Sequence, residues 1–205
     1  MKKIPLLLAL IFSLAGCLPV SQNPLSSLED ATADPRLDGL WYGKSGEDEI
    51  FLHFVPGDTA AMQVVEVDHE KKGVAHTTLY TVFPSVIGGQ HYLNIREEKD
   101  KPYYLAHYQV ADGTLKIWLM SETRGAKAVK SGKLKGKISE KGKATDKNGA
   151  LFPEITITDT TEHLAAFVKK SDPEILFDQK FGTFKKVTLP VIAPESKAAG
   201  KKKGN

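Results

Sequence analysis

Residues 103–120 read YYLAHYQVADGTLKIWLM. Asp112-Gly113 lies between two apolar-rich runs and is a strong signal for a two-residue β-hairpin, because the turn that suits strand twist needs positive φ at both central positions. The turn fixes the register. It sets Ala111 opposite Thr114, Val110 opposite Leu115, Tyr108 opposite Ile117 and Ala106 opposite Leu119. These later pairs share one apolar face with Tyr104. The other face carries Gln109 and Lys116 near the turn, then His107 opposite Trp118, then Leu105 beside Met120. One face is therefore dry throughout. The other is wet at the turn and drier away from it, as expected of a strand pair whose outer surface is partly covered by another element.

Period-two alternation extends upstream of the hairpin. In EIFLHFV (49–55), Ile50, Leu52 and Phe54 share a face that excludes Glu49 and His53. Further strands are expected at AAMQVVEVD (60–68), at HTTLYTVFPSVI (76–87, bent or ended at Pro84) and at HYLNI (91–95), with a last one at GTFKKVTL (182–189). Short strands punctuated by turn residues indicate a mainly β protein, a sandwich or a barrel. A helix is expected near 160–170. Asp159 followed three residues later by Glu162 reads as a capping box. Leu164, Phe167 and Val168 then form an apolar stripe that would lie on the outside of the sheet. Asp172-Pro173-Glu174 reads as a second short helical turn with proline in its first position.

The chain divides into four parts. Residues 1–16 combine Lys2 and Lys3 with an apolar run, Ile4–Leu14, too short to span a membrane and suited to a secretory signal. Residues 17–36 carry three prolines with Ser, Asn and Asp and no sustained periodicity, which reads as a flexible tether. Residues 37–190 form the body. Residues 191–205 read as a disordered basic tail. The net charge of +3 belongs to the two ends, and residues 17–194 carry about −2. A body of that charge lacks the positive face of a nucleic-acid binder, so no nucleic-acid partner is expected. Between Arg124 and Lys147 there are nine basic residues against two acidic ones, which concentrates the body's basic charge in one segment. Within it Lys133, Lys135 and Lys137 alternate with Leu134, Gly136 and Ile138, as on the solvated face of an edge strand, where lysines also block unwanted pairing.

Leu14-Ala15-Gly16-Cys17 resembles a bacterial lipobox at all four positions, and Cys17 is the single cysteine of the chain. The resemblance implies a covalent lipid on Cys17, with a diacylglyceryl thioether and an acylated (for example palmitoylated) new amino terminus. It also implies attachment to the cell envelope. Leu18 in the following position implies the periplasmic face of the outer membrane by likeness to other such lipoproteins. With one cysteine no internal disulfide can form, so the fold rests on its core.

The order of several antiparallel strands, one amphipathic helix and a last strand is similar to that of lipocalins. Gly39-Leu40-Trp41 resembles that family's Gly-x-Trp at the entry of the first strand, where the tryptophan plugs one end of the barrel. The resemblance implies an antiparallel up-and-down β-barrel with the C-terminal helix packed outside. It also implies a cavity for a small apolar ligand. Trp41, Phe54, Phe83, Tyr104, Tyr108 and Ile117 are the candidate lining residues. The alternative is a filled barrel acting as a non-catalytic envelope interaction module, with an envelope protein as partner. The six histidines show no metal-binding spacing, and no nucleophile elbow or phosphate loop is present. No catalytic residue, metal or dissociable cofactor is expected.

Overall fold

The Asp112-Gly113 hairpin closes in the register read from the sequence. Asp112 and Gly113 have φ of 49° and 65°, and all the predicted pairs from Ala111↔Thr114 to Ala106↔Leu119 form. The computed structural model describes residues 18–45, 48–69, 73, 75–139 and 154–188. The signal segment, Cys17 and the basic tail lie outside the described residues.

In chain order the elements are β1 (Val20–Ser21), β2 (Gly39–Ser45), β3 (Asp48–Pro56), β4 (Met62–His69), β5 (Ala75–Ile87), β6 (Gln90–Arg96), β7 (Tyr103–Ala111) and β8 (Thr114–Leu119). There follow α1 (Glu122–Lys130), β9 (Gly136–Ser139), β10 (Glu154–Ile157), α2 (Thr161–Lys170), α3 (Pro173–Leu176) and β11 (Gln179–Lys186). Strands β2 to β8 pair antiparallel, each with the next. After the helices β11 pairs with both β8 and β2, which closes an eight-stranded barrel. Closure leaves these strands no free edge. Pro84 neither ends nor interrupts β5. The ladder to β4 stops at Met62↔Val82, so one side of the strand has no ladder bond for the proline to remove.

Two cores result from the two faces of the sheet. The inner core fills part of the barrel with Trp41, Leu52, Phe54, Val82, Leu93, Tyr108, Ile117 and Phe184. The outer core lies on the far side of β6, β7 and β8. There Tyr92, Leu105 and Met120 meet Leu164 and Val168 of α2, Leu176 and Phe177 around α3, and Ala128 of α1. His107 stacks on Trp118 beneath this cover, ring centroids 5.5 Å apart. The covering element inferred from the dry half of the hairpin's second face is therefore α2, assisted by α1 and α3.

Two sequence expectations are corrected, the first and third below, and one element was not anticipated. First, residues 18–36 are not a flexible tether. Val20–Ser21 pairs with the start of β7 and with β10, and Leu25 is 1% exposed in the outer core. The Leu25 amide donates to Asn94 Oδ1 at 2.6 Å, and Ser26 Oγ meets Ser85 Oγ at 2.6 Å. Second, the basic segment contains a helix. In α1, Ser121 caps the N-terminus by accepting from the Arg124 amide. The lysine alternation read at 133–138 holds: Leu134 is buried, while Lys133, Lys135 and Lys137 are exposed at and beside the edge strand β9. Third, the N-cap of α2 is Thr160, one residue later than expected. Asp159, 1% exposed, instead accepts from the Lys135 amide at 2.8 Å and lies 2.7 Å from His163 Nδ1. It ties β9 to the helix entry.

Candidate functional site

The two ends of the barrel differ in chemistry. At one end the chain entering β2 seals the interior. Trp41 is fully buried, and its indole Nε1 donates to the Leu37 carbonyl at 2.7 Å. Lys186, at the end of β11, places its ammonium 5.1 Å from the centre of the indole ring, a cation–π distance. Beside this plug Asp34 accepts from Arg36 Nε at 2.8 Å, Arg36 Nη2 at 2.7 Å and the Tyr108 hydroxyl at 2.7 Å. Burial pushes the Asp34 carboxyl up, but the Arg36 and Tyr108 hydrogen bonds outweigh it and hold the group at about 2. Burial and the facing Asp34 push the Tyr108 hydroxyl upward.

This network has a measurable consequence. A carboxyl lowered from 3.8 to about 2 on folding adds stability that is complete above pH 4 and lost as pH falls through about 2. The size is about 2 kcal/mol by proton linkage. Asp34→Asn should flatten the stability profile between pH 4 and 2, measured by urea unfolding. Tyr108→Phe should cost about 1–2 kcal/mol at pH 7 by removing a donor from the buried carboxylate.

Toward the other end the inner faces stop touching. A cavity of about 320 Å³ runs from mid-barrel to the opposite mouth, a volume at the lower end of known ligand pockets. Its inner part is apolar, with Ile50, Leu52 and Phe54 on β3, Val64 on β4, Val82 on β5, Leu93 and Ile95 on β6, and Ile117 and Leu119 on β8. Its mouth is polar. Alternation along β4 carries the inward face from Val64 to Glu66 to Asp68. Along β5 it runs from Val82 through Tyr80 and Thr78 to His76. Glu97, Tyr104, Gln179 and Lys180 complete the rim, together with Leu18. Burial raises the Glu66 carboxyl, opposed by a hydrogen bond from Tyr80 and reinforced by Asp68 and Glu97. Burial raises the Tyr80 hydroxyl, reinforced by the facing Glu66 carboxyl and by Glu97.

Of the residues singled out in the sequence, Phe54, Tyr104 and Ile117 stand on the cavity wall. Trp41 and Tyr108 face the interior but belong to the sealed end. Phe83 does not line the cavity. Its neighbour Val82 does, so Phe83 points outward, where its ring meets Tyr103 edge-on at 6.0 Å. Among the residues missed were Glu66 and Asp68 of β4 and His76, Thr78 and Tyr80 of β5. Their signal was available in the parity of β4 and β5, since fixing Val64 and Val82 as inward brings every second residue with them.

A second hollow of about 300 Å³ lies outside the barrel among α1, α2 and α3, with Arg124, Lys127 and Lys133 beside Phe167 and Ile175. Among the described residues no three His, Cys, Asp or Glu side chains are grouped to hold a metal ion.

These features define a class: a closed, antiparallel, eight-stranded β-barrel plugged at one end and hollow toward the other. No protein-family model, no curated protein and no solved structure matches the chain.

Proposed function

We propose that this protein is a lipid-anchored envelope protein whose barrel binds and carries a small apolar molecule, without catalysis. The observation that carries the reading is the one-ended cavity of about 320 Å³ with apolar inner walls. Burying apolar ligand surface there contributes roughly 25 cal/mol per Å² before the costs of immobilisation. The Gly39-Leu40-Trp41 plug at the sealed end agrees with the lipocalin-like resemblance. The anchor in this reading is a diacylglyceryl group on Cys17, supplied by the lipobox-like Leu14–Cys17. Cys17 immediately precedes Leu18, which lines the cavity mouth. Anchor and mouth then share one end of the barrel, and the cavity opens toward the bilayer surface, where apolar molecules are found. Attachment to the periplasmic face of the outer membrane completes the proposal.

Strand parity supplies the test. Thr78 points into the cavity, while Thr77 beside it is exposed. Thr78→Trp should fill the mouth and weaken binding of a neutral fluorescent lipid probe by about tenfold or more, a loss of ~1.4 kcal/mol. Thr77→Trp should leave binding unchanged. Equal affinities in both variants and the unsubstituted protein would show that the probe binds elsewhere.

A further inference from the structure

We infer that the ligand of this cavity is an amphiphile with a cationic head, of the long-chain amine class, and that Glu66, Asp68 and Glu97 select it over fatty acids. The inference rests on the cavity-binding reading and deepens it. The site is the cavity itself, and the carboxylates at its mouth set its preference.

The cavity's two zones fit the two parts of such a molecule. An alkyl chain would occupy the inner zone, where Phe54, Val82 and Ile117 supply the wall. Its head would then lie at the level of Glu66 and Thr78, which face each other across β4 and β5. Among the described lining residues the mouth offers three carboxylates against one lysine, Lys180, and one histidine, His76. An ammonium group has three donors and no acceptor. Glu66 and the Thr78 hydroxyl provide acceptor oxygens at that level, and Asp68 adds a carboxylate one inward position further toward the mouth, opposite His76.

The converse charge is disfavoured for a reason already visible in the protein. Glu66 is pushed up first by burial and then by the negative charges of Asp68 and Glu97. The same field acts on any carboxylate placed beside it. A fatty-acid head there would add a further negative charge in a partly desolvated mouth, where repulsion is stronger than in water. A neutral alcohol head would suffer neither penalty nor gain.

The experiment uses the whole purified protein and equal amounts of dodecylamine, dodecanol and dodecanoate, competing at neutral pH and below their aggregation limits. Occupancy is read by native mass spectrometry. The chains match in length, so only the head differs. The expected order is amine, then alcohol, then carboxylate. In Glu66→Gln/Asp68→Asn the amine-to-alcohol preference should fall by about tenfold, while dodecanol still binds and so reports an intact cavity. Glu98→Gln, outside the cavity, should keep the preference. Dodecanoate binding as well as dodecylamine would overturn the head-group assignment. So would an amine preference that survives the double substitution. If dodecanol binds without discrimination among the heads, the cavity reading stands and the assignment falls. If none of the three binds, both fail together.

Discussion

Trp41→Ala should lower the stability of the protein by about 3–5 kcal/mol, the range for removing a large aromatic side chain from a packed interior. Trp41 is completely buried and belongs to the inner core with Leu37, Tyr108 and Phe184. The substitution also removes the donor to the Leu37 carbonyl and the ring under the Lys186 ammonium. The seal would be lost with them, because alanine cannot span the space between β2 and the chain at Leu37. Two measurements check this: the urea midpoint at pH 7, and amide exchange along Gly39–Gly43, which should accelerate. A midpoint shift worth less than about 1 kcal/mol would mean that the indole is not the plug.

Leu25→Ala should cost about 3 kcal/mol, within the range for leucine truncation in a core. This expectation separates two pictures of residues 18–36 sharply. In a flexible tether the substitution would have no measurable effect. In the fold described here Leu25 is 1% exposed, contacts the outer core and donates its amide to the buried Asn94. Asn94 also donates to Ser85 and to the Phe83 carbonyl. Asn94→Ala should therefore destabilise by about 1–3 kcal/mol through the orphaned Leu25 amide. An unchanged urea midpoint for Leu25→Ala would contradict the docking of this segment.

The barrel strands were legible because local chemistry dictates them. Asp112-Gly113 fixes one register outright, and alternation in 49–55 gives the faces of β3. The N-terminal segment was illegible because it docks by single anchors, Leu25, Ser26 and Asp34, with no periodic stripe between them. Helix α1 escaped for a related reason. Its buried positions are Gly125 and Ala128, and residues so small carry no hydrophobic period. Gly125 is small because Pro19 packs against it, 2.8 Å from where a Cβ would stand. Phe83 was misplaced because Val82, Phe83, Pro84 and Ser85 are all buried, two facing each way. Where both faces of a strand are covered, alternation disappears and direction must come from the neighbouring strand.

The polar mouth shows the limit from the other side. Glu66 and Asp68 sit on the inward face of β4 in a sequence that otherwise places apolar residues there. A closed, filled barrel would bury such carboxylates at several kcal/mol each. They are tolerated because the interior is open at that end. The departure from alternation is thus the trace of the cavity in the sequence.

The central claim is that the cavity holds a small apolar or amphiphilic molecule. It is tested most directly on protein purified without added lipid from its own cells. Intact mass is compared under native and denaturing conditions, and the bound fraction is extracted with organic solvent. A noncovalent species should appear in the native mass, leave on denaturation and be recovered in the solvent, and Thr78→Trp should abolish it. A native mass equal to that of the denatured chain in every preparation, with no uptake of dodecanol or dodecylamine when they are supplied, would contradict the claim.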